Sequence, residues 1–315
     1  KNLLLIGSNG FLGKNTKKII DSSGNYKLFE IKDSKDLNIL NYDDLFVFLN
    51  KNKIEGVVNC AAFVGGISYG YKYQADLLSV NTQMALNLYK ACHKSEVKML
   101  INPISNCAYP EQYSIYQENK FWDGKIHESV FNYGLSKRIY VAMGDAYFQQ
   151  HSFSSTNIVL SNMYGPLDHF EVERSHALGA LIMKVFNAKK NNYNFIDVWG
   201  TGKPIREWLY VEDGAKALVK ALNLDPGHHF FNVGSGIGHS VIDIAKKIAK
   251  EFDWDGEFKL DKTKPDGVPE KKVDPNLGEK ILGWLPEVSI DEGIKLTVEW
   301  YIENVRTPDY VLTVY

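Results

Sequence analysis

The sequence contains little cysteine, and the few cysteines present form no recognisable motif. Cys60, Cys92 and Cys107 are far apart and show no CxxC spacing. Neither a disulfide framework nor a zinc site follows from such an odd, scattered set, so no metal is expected. Free thiols are usual in a reducing compartment, and we therefore expect a cytoplasmic protein.

The sequence also lacks an excess of charge and any long apolar run. In 315 residues, 36 lysines and arginines oppose 38 acidic residues, which leaves a formal net charge of −2. No basic surplus favours a nucleic-acid partner. No apolar run approaches membrane-spanning length, and the mean hydropathy is −0.25, so no membrane partner is expected. The first apolar run breaks into glycine almost at once, which indicates a strand rather than a signal peptide.

Arginine is scarce among the basic residues. The four arginines are Arg138, Arg174, Arg206 and Arg306. Because a guanidinium binds oxyanions in a bidentate way that an ammonium does not, each arginine is a candidate for such a task. For Arg174 we prefer an ion pair with the neighbouring Glu171 or Glu173.

Short apolar runs alternate with amphipathic stretches through the first half of the chain. The predicted strands are 3–7, 26–31, 57–61, 99–104 and 156–161. The predicted helices are 12–22, 43–50, 76–94 and 133–149. Continuous apolar strands between helices predict an α/β fold, a Rossmann-type doubly wound parallel sheet covered on both faces.

The second half is less regular and predicts a smaller, interleaved α/β domain that binds the substrate. Strands are expected just before 199–200, around 208–211 and at 229–233. Helices are expected at 212–222 and 239–252, and a capping box of Ser289 and Glu292 opens a last helix. We expect residues 1–164 with about 207–234 to form the dinucleotide-binding domain, and about 165–206 with 235–315 the other.

Three glycines follow the first strand and precede the first helix. Gly7 allows a tight turn, Gly10 lets the backbone approach a pyrophosphate, and Gly13 permits close packing of helix on strand. The helix N-terminus attracts the anion, so this turn predicts a dinucleotide site. Further cofactor-binding residues are expected at Phe11, Leu12, Ala61 and Ala62.

The end of the second strand bears on the choice of cofactor. An acidic side chain at Asp33 would bind a ribose 2′-hydroxyl and favour NAD. Lys32 and Lys35 could instead hold a 2′-phosphate and favour NADP. We expect NADPH, with NADH left open.

A Tyr–Lys pair on one helix indicates proton chemistry at a carbonyl. Tyr133 and Lys137 are four residues apart and therefore share a helix face. We expect the ammonium to lower the pKa of the phenol. Ser105, just after the fourth strand, could polarise the same carbonyl.

Together, the glycine turn, Ser105 and the YxxxK pattern resemble the extended short-chain dehydrogenase/reductases, and within them the GDP-L-fucose synthase family. That family acts on GDP-4-keto-6-deoxymannose as epimerase and reductase. Further segments that carry the resemblance are 61–67, 105–110, 162–166, 174–176, 198–208, 232–236 and 264–274.

The resemblance implies roles for individual residues. Ser105, Tyr133 and Lys137 match the reductive triad, and Cys107 and His176 match the acid–base pair that inverts the carbons beside the ketone. Cys107 lies two positions after Ser105, so both side chains share a face if the strand geometry continues. The residues implied to bind the GDP-sugar are Asn162, Lys184, Trp199, Arg206 and Lys271.

These features predict an NAD(P)H-dependent 4-reductase of a GDP-linked 4-keto sugar with 3,5-epimerase activity. The alternatives are a reductase-only enzyme for a GDP-4-keto-heptose or 6-deoxy-heptose, a nucleotide-sugar 4-epimerase or dehydratase, and a non-enzymatic dinucleotide-sensing module. Loops at 69–73 and 113–123 are expected to read the sugar substituents. The helices at 76–94 and 133–149 resemble those that pair in dimeric reductases, so a homodimer is expected.

Overall fold

A computed structural model describes residues 1–65, 67–170, 177–264 and 266–305. The strands are β1 (Asn2–Ile6), β2 (Lys27–Ile31), β3 (Gly56–Asn59), β4 (Met99–Ser105), β5 (Ile115–Tyr116), β6 (Ser155–Leu160), β7 (Asn162–Tyr164), β8 (Phe195–Trp199), β9 (Ile205–Tyr210), β10 (His228–Val233), β11 (Gly238–Ser240), β12 (Glu257–Asp261) and β13 (Glu270–Val273). The helices are α1 (Phe11–Ser23), α2 (Tyr42–Lys51), α3 (Ile67–Lys72), α4 (Gln74–Lys94), α5 (Phe131–His151), α6 (Ala177–Lys190), α7 (Val211–Ala221), α8 (Val241–Glu251), α9 (Asn276–Leu282) and α10 (Ile290–Val305).

The main sheet is parallel, and its strands run in the order β10–β6–β4–β3–β1–β2. Its central strands are apolar on both faces because helices cover both sides. Helices α4 and α5 pack together on one face with α2, and α1 packs with α7 on the other. The Rossmann-type fold predicted from the alternation is therefore confirmed.

The carboxyl ends of the parallel strands all meet at one edge of the main sheet. The chain reverses its direction of travel across the sheet between β1 and β3, which is the place where α/β proteins bind ligands. Gly7 follows β1, Ala61 follows β3, Ser105 ends β4 and Asn162 follows β6. The residues singled out in the first half of the sequence therefore lie along one edge.

The second part of the chain is built around β9. This strand pairs with β7, β11 and β13, while β8 pairs with β12 outside that sheet. Helices α6, α8 and α10 enclose a separate apolar core with β8 and β9. Glu207 fastens this region, because its buried carboxylate accepts the Gly236 N–H at 3.0 Å and the Val273 N–H at 2.7 Å. The domain boundaries given above stay a prediction.

Some element boundaries differ from the sequence-based expectation. His239 lies in β11 rather than in a helix, because the Ser240 side chain caps α8 through the Asp243 N–H. Ser289 caps α10 as expected, since the Glu292 N–H donates to Ser289 Oγ at 3.2 Å. Within the described ranges, no helix combines the length and apolar character needed to cross a bilayer.

Candidate active site

The glycine turn after β1 is shaped by backbone contacts. Gly7 has a φ of 75°, and a Cβ there would lie 2.7 Å from the Ala61 nitrogen. A Cβ on Gly13 would lie 2.0 Å from the Gly7 carbonyl oxygen, so helix α1 reaches the strand only because Gly13 has no side chain. Gly10 has no protein atom closer than 3.4 Å to an added Cβ. The protein itself would therefore tolerate a side chain at this position. The absence of one at Gly10 leaves room for a ligand to approach the backbone.

The N-terminus of α1 is left free for an anion. Gly10 is its N-cap, no side chain caps it, and its first turn carries no acidic residue. The Gly7 N–H donates to the Ile31 carbonyl at 2.7 Å, which brings the end of β2 against the turn. Lys32 and Asp33 both follow there and are exposed. Asp33 is engaged locally, since its carboxylate accepts the Lys35 N–H at 2.8 Å. The uncapped N-terminus of α1 and the nearby Lys32 together fit a dinucleotide phosphate.

Tyr133 and Lys137 lie on one face of α5, as the spacing predicts. The Lys137 ammonium is buried, donates to the Pro103 carbonyl at 3.2 Å and lies 5.6 Å from the Tyr133 ring centroid. Pro103 precedes Ser105 on β4, so the helix and the strand that carry the expected triad are joined through Lys137.

Burial dominates the electrostatics of this pair. It lowers the pKa of Lys137 to about 8, against the opposing influence of Cys107 and Cys60. Burial also raises the pKa of Tyr133, to which Cys107 and Tyr140 add. The pKa of Tyr133 is therefore raised, not lowered as expected from the neighbouring ammonium, because burial penalises the phenolate. A neutral phenol is a proton donor.

A cavity of about 310 Å³ lies where Ser105, Cys107, Tyr133 and Asn162 converge. This set spans the ends of β4 and β6 and the first turn of α5. Its volume is at the lower end of the range usual for small-molecule sites. The other lining residues are Val64, Gly65, Gly70, Tyr71, Gln74, Leu77, Asn106, Glu128, Ser129, Val130, Phe131 and Asn132.

Cys107 reaches the cavity from a turn rather than from a strand. β4 ends at Ser105, and Asn106–Ala108 form a short 3-10 helix whose cap is the Ser105 hydroxyl, which accepts the Cys107 N–H at 3.3 Å. The strand geometry expected to continue to Cys107 is therefore not observed. Burial raises the pKa of the Cys107 thiol, while Ser105, Lys137 and Lys271 oppose that rise. His176, Arg174 and the glutamates proposed to pair with it lie outside the described residues.

The structure adds residues to the cavity that the sequence analysis missed. Glu128 brings a carboxylate, and Asn106 donates to the Asn162 side-chain oxygen at 3.4 Å. No sequence motif marks Glu128, because it approaches the cavity from the segment before α5. Of the two loops expected to read the sugar, 69–73 contributes Gly70 and Tyr71. The described lining includes no residue from 113–123.

Arg206 and Lys271 lie next to each other on β9 and β13, where they are register partners. Burial lowers the pKa of Lys271, and the Arg206 charge lowers it further. Arg206 donates to the Asp266 carbonyl at 3.2 Å and to the Ile205 carbonyl at 2.8 Å. Two half-buried cations at one point suit a multiply charged anion.

Trp199 and Lys184 occupy a neighbouring region at the end of β8. The Trp199 ring is 65% exposed, and the ammoniums of Lys184 and Lys264 lie 5.8 Å and 5.4 Å from its centroid. Lys184 also donates to the Asp197 carbonyl at 2.8 Å. The Asp266 carboxylate binds the backbone N–H and hydroxyl of Thr201, at 2.6 Å and 2.7 Å, and so ties the Trp199 turn to the Arg206 region.

Comparison with known proteins places the chain in a family. The sequence profile of the NAD dependent epimerase/dehydratase family matches residues 3–234. GDP-L-fucose synthase 1 of Arabidopsis thaliana is 32% identical over 304 residues, which cover 96% of this chain and 94% of that protein.

Solved structures agree with this placement. The GDP-L-fucose synthetase of Naegleria fowleri bound to NADP has 27% identity and a TM-score of 0.87, with 98% of this chain and 94% of that chain covered. A GDP-D-glycero-L-gluco-heptose synthase of Campylobacter jejuni has the same fold, with a TM-score of 0.85, 21% identity and coverage of 96% and 98%. The chain belongs to the NAD dependent epimerase/dehydratase family, in the branch that contains the GDP-L-fucose synthases.

Proposed function

We propose that this chain is an NADPH-dependent 4-reductase of a GDP-linked 4-keto sugar that also epimerises the carbons beside the ketone. The observation that carries the proposal is the convergence of Ser105, Cys107 and Tyr133 on one cavity at the carboxyl edge of the sheet. A hydroxyl, a thiol and a neutral phenol around one space can hold a carbonyl oxygen and move protons beside it.

The glycine turn and the free N-terminus of α1 are the proposed site for the NADPH pyrophosphate. Gly7 and Gly13 shape the turn, and Gly10 leaves the space that the pyrophosphate needs. Lys32, exposed at the end of β2, is the proposed partner of the 2′-phosphate. When bound, NADPH supplies the hydride that C4 of the sugar accepts.

Tyr133, Lys137 and Ser105 act on the C4 oxygen in reduction. Ser105 donates a hydrogen bond to this oxygen, and Tyr133 transfers its phenolic proton to it. The buried ammonium of Lys137 stabilises the phenolate that remains, since Lys137 lies against the Tyr133 ring. The same carbonyl contacts serve both parts of the reaction.

Cys107 and His176 are the proposed acid–base pair for epimerisation. One removes the proton from a carbon beside the ketone, and the electron pair moves onto the C4 oxygen as an enolate. Ser105 and Tyr133 hold that oxygen by hydrogen bonds, and the other member of the pair returns a proton to the opposite face. Burial raises the pKa of the Cys107 thiol, and the charges of Lys137 and Lys271 counter that rise and so favour the thiolate that a base requires.

The GDP moiety is proposed to lie along β8, β9 and β13. Arg206 and Lys271 bind the diphosphate, and the exposed Trp199 ring, with Lys184 beside it, offers a surface for the base. We further propose a cytoplasmic homodimer in which α4 and α5 form the contact between protomers.

The test is incubation of the enzyme with GDP-4-keto sugars, of the hexose and heptose series, and NADPH in deuterated water. NMR of the product should show reduction at C4 and deuterium at C3 or C5. Reduction without deuterium would identify a reductase-only enzyme, and no oxidation of NADPH with any of these sugars would refute the proposal.

A further inference from the structure

Arg138 follows the triad lysine directly, and its guanidinium donates hydrogen bonds to two loops. Nε donates to the Ala108 carbonyl at 2.8 Å, and Nη1 donates to the Gly124 carbonyl at 3.1 Å. The guanidinium carbon lies 5.4 Å and 5.6 Å from the ring centroids of Phe121 and Trp122. Neither the reductive triad nor the proposed GDP site uses this arginine.

The first of these loops is the turn that carries the reacting groups. Ala108 ends the short helix that begins after Ser105 and contains Cys107. The turn also touches α5 directly, because a Cβ on Gly134 would lie 2.9 Å from the Cys107 carbonyl oxygen. Gly134 and Arg138 are four residues apart, so one edge of α5 contacts the turn at two successive points.

Tyr133 and Lys137 occupy the adjacent edge of the same helix. Gly134 and Arg138 contact the turn, and Tyr133 and Lys137 lie beside them. The turn and the triad are therefore held on the same rigid helix. We propose that Arg138 is a positioning residue, whose guanidinium holds the turn carrying Ser105 and Cys107 against the helix carrying Tyr133 and Lys137. The inference rests on the proposed function only in its assignment of chemistry to those four residues.

A lysine would not replace this contact. Its single ammonium is a point charge, whereas the planar guanidinium offers donors that diverge toward two carbonyls and a flat face toward aromatic rings. Arg138 is one of only four arginines in the chain and is therefore a candidate for a task that lysine does not perform.

The test compares Arg138→Met, which keeps the apolar stem and loses both hydrogen bonds, with Trp122→Leu as a matched control. Trp122 is 55% exposed and is not among the described residues that line the cavity, and its loss leaves both hydrogen bonds in place. We expect Arg138→Met to lower kcat of reduction and the rate of deuterium exchange by about 10- to 100-fold, the usual effect of a misplaced reacting group. NADPH affinity should be unchanged in both variants, and Trp122→Leu should keep the wild-type kcat. Arg138→Lys should fall between them.

A second measurement needs no substrate. Iodoacetamide labelling, read by mass spectrometry, should modify Cys107 about tenfold faster in Arg138→Met, because a hydrogen bond from a charged group is lost, while Cys60 labelling stays constant. Wild-type kcat together with an unchanged labelling rate in Arg138→Met would overturn the proposal, and so would equal losses in Trp122→Leu. If Arg138→Met does not fold, Arg138→Lys decides by the same readouts.

The two proposals fail in different ways. A wild-type enzyme that reduces but exchanges no deuterium would remove the role of Cys107 in epimerisation, yet kcat of reduction would still test Arg138 through Ser105. A wild-type enzyme inactive on every GDP-4-keto sugar would refute the proposed function, whereas Cys107 labelling would still report on the turn.

Discussion

Arg206 and Lys271 are neighbours across the β9–β13 pair, and their side chains bring two positive charges to one part of the sheet. Burial lowers the pKa of Lys271, and the nearby Arg206 charge lowers it further. A diphosphate placed between them would relieve that repulsion. The arrangement therefore favours an anionic ligand over an empty site.

Arg206→Met should weaken binding of the GDP-sugar with little effect on the cofactor. The loss of hydrogen bonds to a charged group should raise KM for the sugar nucleotide by about 10- to 100-fold. Steady-state kinetics with NADPH at saturation would measure this, and Lys272→Met is the control, since Lys272 is paired with Glu270 at 3.0 Å. An unchanged KM would place the diphosphate elsewhere.

Tyr133→Phe should nearly abolish reduction while dinucleotide affinity stays close to wild type. The phenol is the proposed proton donor, and loss of a general acid costs about 10²- to 10⁴-fold in rate. NADPH oxidation followed by absorbance would report the rate, and fluorescence titration the affinity. Tyr147→Phe, on the same helix but packed against His151, should behave as wild type. Normal reduction by Tyr133→Phe would remove the phenol from the mechanism.

Cys107→Ser should separate the two activities. Exchange of the hydrogens beside the ketone should slow by about 10²- to 10⁴-fold, because a hydroxyl is a much weaker acid–base group than a thiol. Reduction should survive, since Ser105, Tyr133 and Lys137 are unchanged, and NMR should find a product with unaltered configuration at C3 or C5. Equal exchange rates in the variant and the wild type would show that Cys107 takes no part in proton transfer and only packs near the site.

The pH profile should show the titration of Lys137. Its pKa of about 8 keeps the ammonium charged at neutral pH, and the charge is lost as the pH rises through that value. Because the pKa of Tyr133 is raised, the phenol stays protonated over the same range. We therefore expect kcat/KM for NADPH, which reports groups of the free enzyme, to be level near neutrality and to fall above about pH 8. Lys137→Arg should move this decline out of the accessible range; an identical decline in that variant would assign it to another group.

Light scattering should find a homodimer at micromolar concentration. Leu86 is an apolar residue on α4 that is 42% exposed, on the helix face that also carries the exposed Gln83 and Lys90, so it is the position chosen to test the proposed contact. Leu86→Lys should give a monomer of similar secondary structure by circular dichroism. A wild-type monomer would contradict the assignment of α4 and α5 to the interface.

The sequence predicted the main sheet well because its strands are continuous apolar runs and the helices between them are amphipathic. It missed β12 and β13, which are short and polar and form by pairing with β8 and β9, far away in the chain. For the same reason the sequence could identify Tyr133 and Lys137, whose spacing is local, but not Glu128 or the contacts of Arg138. Those depend on which loops the fold brings to α5, and no local pattern records that.

Asp266 joins the two ends of the proposed nucleotide site through a single residue. Its carboxylate holds Thr201 beside the Trp199 turn, and its carbonyl accepts from Arg206. A ligand that orders one end therefore contributes to ordering the other, so base and diphosphate should bind cooperatively when covalently linked. Guanosine and pyrophosphate added as separate molecules would each have to order that connection alone. The intact nucleotide should therefore bind more tightly than the affinities of the two fragments predict.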